Sequence, residues 1–162
     1  MRDFLRYYQA NVDTLHYLIC PRCIADTTDK DTSSLRPFSL SNADIEAYLA
    51  ALNAGGWLAP AYLSGTRTYL RGVAAELRSR PRYDYGNPFG LEKDPILLHF
   101  DWKADLDSLR TSRARTIVRG HTAHVRIPSP DFNSDGRLGM AFSLIHNNGR
   151  WLITEIKPWL PE

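Results

Sequence analysis

"LGMAFSLIHNNGRWLITEIKPW", residues 138–159, decides the fold class. Met140, Phe142 and Leu144 fall on alternate positions, the spacing of a strand with one buried face. Asn147, Asn148 and Gly149 supply turn chemistry, and Trp151 to Ile156 runs back as the second arm of a hairpin. Just upstream, "RTIVRGHTAHVRIP" (115–128) sets Ala123, Val125 and Ile127 on one face and Thr122, His124 and Arg126 on the other. That is a half-buried strand. The last third of the chain therefore reads as antiparallel sheet.

Ahead of it the period is that of helices. Phe4, Leu5, Tyr8, Val12 and Leu15 form a stripe that "CPRC" stops near Leu18. A polar loop and Pro37 follow. Ser41 with Asp44 three residues on is a capping box for a second helix carrying Ile45, Tyr48, Leu49 and Leu52, ended by Gly55 and Gly56. Pro60 opens a third helix whose buried face is expected to be Tyr62, Tyr69, Leu70, Val73 and Leu77. Helices first and antiparallel strands last predict an α+β domain, with three N-terminal helices packed on a curved antiparallel sheet.

A chain of 162 residues suits a single domain over 1–162, long enough to bury roughly two-thirds of its unfolded surface. A net charge of +2, with arginines read as scattered along the chain, argues against nucleic acid. No apolar run reaches the roughly 18 residues of a membrane span, and the first residues lack the apolar core of a leader. An amphipathic pattern that starts at once is how a mature exported protein begins, so the expected compartment is periplasmic or otherwise exported, with the cytoplasm as the alternative.

"WLAPAYL" (57–63), "DYGNPFGLEKD" (84–94) and "NNGRWLITEI" (147–156) together resemble bacterial domains of unknown function in the nuclear transport factor 2-like superfamily. Asp84, Pro88, Phe89 and Asp94, then Gly149, Arg150 and Trp151, carry the likeness. The resemblance implies a cone-like fold in which helices and sheet enclose a pocket. It also implies a function drawn from isomerases, dehydratases, dimerisation modules, transport adaptors or immunity proteins, so fold alone does not select one.

An enzyme on such a fold needs a carboxylate or histidine aimed into the cone. Asp94, His99 and Asp101 in "DPILLHFDW" are the candidates. Extended backbone would put His99 and Asp101 on one face, where the two could polarise a small substrate, and Ile96, Leu98, Phe100 and Trp102 on the other, an alternation that supports a wetted outer side and a buried side instead. Asp94 before Pro95 is the start of a turn. His124 reads as a surface residue, and no catalytic or dinucleotide fingerprint is present.

Cys20 and Cys23 are the only cysteines. Zinc wants four ligands and a redox pair wants a strand before it, so a short disulfide after the first helix is the reading for an exported chain. Asp131, Asn133, Asp135 and Gly136 match the opening of a calcium loop, yet Phe142 stands where its bidentate Glu belongs, so no cofactor is expected beyond weak calcium. Trp159, between Pro158 and "LPE", has no regular element in this reading and is expected to dock back on the body or on a neighbour.

The reading that results is a non-catalytic periplasmic binding protein, of the immunity type that neutralises a secreted toxin by protein contact. Its contact residues are expected to be Asp84, Tyr85, Asp94, Asp131, Asp135 and Arg137 on surface loops. The rival is a small-molecule isomerase, dehydratase or hydrolase using Asp94, His99 or Asp101.

Overall fold

A computed structural model of the chain describes residues 1–20, 39–79, 91, 94–96, 102–128 and 139–159. Within them the architecture is α+β: helices α1 (Arg2–Ile19), α2 (Asn42–Leu52), α3 (Pro60–Ser79) and α4 (Trp102–Thr111), then strands β1 (Arg115–Arg119), β2 (Thr122–Ile127), β3 (Gly139–Asn147) and β4 (Arg150–Trp159). The strands form one antiparallel sheet in the order β1-β2-β3-β4.

The caps anticipated from sequence are present. Ser41 Oγ accepts from the Asp44 amide at 3.1 Å while the Asp44 carboxylate accepts from the Ser41 amide at 2.9 Å, which satisfies two of the donors that start α2. The helix stops earlier than its glycines suggest, at Asn53, whose amide still reaches the Leu49 carbonyl. Pro60 does open α3, but the buried face of that helix is Leu70, Val73, Ala74 and Leu77, and Tyr69 is 45% exposed.

Three further readings are corrected. Residues 115–128 are two strands: Gly120, at φ +57°, opens a two-residue turn, and β1 folds back on β2. Trp102 does not continue an alternating run, because it begins α4, whose buried side chains Leu106 and Leu109 are three apart. Trp159 ends β4, paired with Gly139. The second hairpin is as read. Asn148 and Gly149 both have positive φ, 49° and 79°, as a two-residue hairpin turn of the twist-matching kind requires.

The chain divides into two compact units. The first is Met1–Ala10, Gly55–Leu63 and Lys93–Glu162. Its buried side chains come from the first turns of α1 (Phe4, Leu5, Tyr8), from Leu58, Ala59 and Ile96, from α4, and from one face of the sheet. On that face Ala123, Val125 and Ile127 of β2 lie opposite Leu144, Phe142 and Met140 of β3, with Ile153 and Ile156 beyond them on β4. Ile153 and Ile156 are three apart rather than two because a bulge between Ser143 and Leu144 admits Thr154, whose hydroxyl donates to the Ser143 carbonyl at 3.1 Å.

The second unit is Asn11–Ala54 and Ser64–Glu92. Its core is helical, with Val12, Leu15 and Ile19 of α1, Ile45, Tyr48, Leu49 and Leu52 of α2, and the buried face of α3. Arg67 holds Glu46 with both forks, at 2.7 and 2.9 Å, and this tie depresses the Glu46 carboxyl below its ordinary value.

Candidate partner-binding face

Strand pairing fixes which side chains stand together on the face of the sheet that no element among the described residues covers. Three rows cross all four strands. Arg115, Arg126, Ala141 and Lys157 make the first; Ile117, His124, Ser143 and Glu155 the second; Arg119, Thr122, Ile145 and Leu152 the third. Arg115 lies directly opposite Arg126, a like-charge pair that disfavours the sheet. The Arg126 guanidinium is 5.3 Å from the centre of the Trp159 ring, a cation–π contact that fixes one of the two cations. Trp159 fits there because Gly139 has no side chain: a Cβ at that position would stand 2.6 Å from the Ile127 carbonyl and 3.0 Å from the Trp159 ring.

The middle row is polar and connected. Ser143 donates to Glu155 at 3.0 Å, Lys157 lies 3.3 Å from the same carboxylate, and Ser143 Oγ is 3.4 Å from His124 Nδ1. Lys157 first, then the serine hydroxyl, holds the Glu155 carboxyl below its ordinary value. The serine hydroxyl donates to the carboxylate, and its contact with His124 Nδ1 is the longer of the two, with the donor set by the histidine tautomer.

At the margin lies β1. All five of its residues are exposed, and Ile117 and Val118, on opposite faces, are 53% and 56% exposed. Among the described residues its outer backbone edge meets no partner. Cation surrounds it: from Ser112 to Pro128 the chain carries Arg113, Arg115, Arg119 and Arg126 and no acid. None of the four forms an ion pair among the described residues. The arginines are thus clustered here, and the reading of them as scattered is corrected. The signal was a seventeen-residue stretch without Asp or Glu, but only the hairpin register brings Arg115 beside Arg126.

Of the residues expected to carry function, Asp94 is the one best placed by the structure. It is 2% exposed, so it belongs to the interior of the first unit and not to a surface loop. Tyr8 donates to one carboxylate oxygen at 2.8 Å and the Ile96 amide to the other at 2.8 Å, the second bond closing the turn that begins before Pro95. Tyr62 is half-buried, and burial together with the charge of Asp94 pushes its phenol far above the ordinary tyrosine value. Cys20 is buried just beyond α1. Cys23, Asp84, Tyr85, His99, Asp101, Asp131, Asn133, Asp135 and Arg137 lie outside the described residues. Among the described residues no cluster of three metal-ligating side chains occurs, and no helix is long and apolar enough to cross a membrane.

A scan against protein-family models, a search of curated proteins and a search of solved structures found no match for the chain.

Proposed function

We propose that this chain is a non-catalytic binding protein that acts by protein contact, on a nuclear transport factor 2-like version of the α+β fold, exported and of the immunity type. The observation that carries the reading is β1: an edge strand with exposed apolar side chains on both faces and a backbone edge that meets no partner among the described residues. Soluble proteins shield such edges, and one left open beside exposed Ile117 and Val118 has the features of a surface kept for a partner. Immunity proteins work by occupying the surface of a toxin, a task that needs shape and charge but no reacting group.

The enzyme reading has one observation behind it, the enclosed carboxylate of Asp94 with Tyr8 and Tyr62 nearby. Each oxygen of that carboxylate already accepts a bond from a structural donor, which favours a tie between α1 and the 94–96 turn over a general base.

Co-expression with the product of the adjacent gene tests the proposal. The expected result is relief of that product's growth inhibition and a stable complex with the purified chain, with Asp94→Asn retaining relief in any variant that folds. A neighbouring product that neither inhibits growth nor binds, or a turnover lost in Asp94→Asn, would contradict it. Export adds a second expectation. Protein from an oxidising compartment carries a Cys20–Cys23 disulfide, seen as an intact mass two hydrogens lighter that returns on reduction.

A further inference from the structure

We infer that β1 takes up an extended acidic segment of a protein partner, which adds to the sheet as a fifth strand. This rests on the protein-binding reading above and names the chemistry of the partner.

The backbone supplies the attachment: among the described residues the outer amides and carbonyls of β1 have no backbone partner, and such an edge hydrogen-bonds an incoming strand whatever its side chains. Side chains then select. Arg115, Ile117 and Arg119 share the uncovered face, while Thr116 and Val118 share the other. An added strand therefore meets cation, apolar, cation on one side and a β-branched pair on the other. The complement is carboxylates two residues either side of an apolar residue, with apolar or small residues between. Arg113 and Arg126 extend the positive field at one end, and no acid on the hairpin opposes it.

The same charges argue against other occupants. A second copy paired antiparallel about Ile117 would put Arg115 opposite Arg119 twice, like charges at directly facing positions. A nucleic acid would use the arginines but would leave Ile117 and Val118 without a partner.

The test uses the full chain and three labelled peptides read by fluorescence anisotropy. One alternates glutamate with valine around a central isoleucine; the second replaces each glutamate by lysine; the third is the acidic peptide N-methylated on every second amide along one edge. The acidic peptide is expected to bind saturably and to weaken as salt shortens the screening length below about 8 Å. Both Arg115→Glu with Arg119→Glu in the protein and N-methylation in the peptide are expected to weaken it about tenfold or more, and the lysine peptide should not bind. Arg115→Gln with Arg119→Gln, a milder change, should bind between the unchanged protein and the double Glu variant, and unchanged melting temperatures separate lost binding from lost folding. No saturable binding, indifference to N-methylation, or equal binding of a single-stranded oligonucleotide overturns the inference. A complex with the adjacent gene's product that survives both arginine substitutions would leave the protein-binding reading standing while overturning this one.

Discussion

The sheet has two edges, and they are built differently. At β4 the segment around Leu58 lies alongside the strand: the Ile153 amide donates to the Trp57 carbonyl and the Ala59 amide to the Ile153 carbonyl, both at 2.8 Å, with Leu58 bridged to Ile153. Trp57 is held in turn by the rings of Phe4 and Tyr7, 6.2 and 5.0 Å away, and Arg150 donates to the Gly55 carbonyl at 2.8 Å. Nothing comparable covers β1 among the described residues, where Arg115 and Arg119 stand on the strand instead. One edge is closed by the chain's own backbone. The other carries charge where the described residues supply no cover, and charge, unlike a covering segment, admits a partner of opposite sign.

The largest effect that can break this contrast lies along a single row of side chains. Val118, Ala123, Leu144 and Ile153 face one another across the four strands, yet Val118 is 56% exposed and Ile153 1%. Ile153→Ala should cost about 2–5 kcal/mol in denaturant unfolding and Val118→Ala no more than about 0.5 kcal/mol. Equal costs would mean that β1 is buried after all. Next in size is the tie beneath the covered edge. Tyr8→Phe removes the hydroxyl that donates to the buried Asp94 carboxylate and should cost about 1–3 kcal/mol, measured the same way. A smaller effect sharpens the account of the cover itself. A Cβ at Gly55 would run into the Trp57 ring, so Gly55→Ala should speed amide exchange at Ile153 while leaving β1 unchanged. The smallest concerns pH. Because the Glu155 carboxyl is depressed by Lys157 and Ser143, its contribution is complete above the ordinary glutamate value of 4.5 and is lost as pH falls through the lower folded value. The group is exposed, so the loss belongs at the low end of about 0.2–1 kcal/mol, and Lys157→Met should remove most of it from a stability profile below pH 4.5.

Much of the fold was legible because local chemistry and tertiary burial agree. The Ser41–Asp44 box, Pro60 at the start of α3, the alternation of β2 and the Asn148–Gly149 turn each act within a few residues, so sequence spacing reports them directly. Helix α4 is harder to see in the sequence because the alternation ahead of it runs on to Trp102, the residue that begins the helix. The turn at Gly120 was read through because the next residue is His121 and not a second turn former. The candidate site was legible only in part. Asp94 could be named as a carboxylate of interest, but its partner Tyr8 lies 86 residues away, and no spacing rule reaches that far. The arginine face depends on pairing register, which brings Arg115 against Arg126 and both into line with Lys157. Sequence shows the charges; register shows that they adjoin an open edge.

Hydrogen exchange resolved along the sheet, in the free chain and in its complex with the product of the adjacent gene, bears most directly on the claim that β1 is the receiving edge. In the free chain the β1 amides turned away from β2 should exchange fast while that of Ile153 is protected, and on complex formation the β1 amides of residues 115–119 should slow with β4 unchanged. Protection that appears elsewhere while residues 115–119 keep exchanging as in the free chain would contradict the claim.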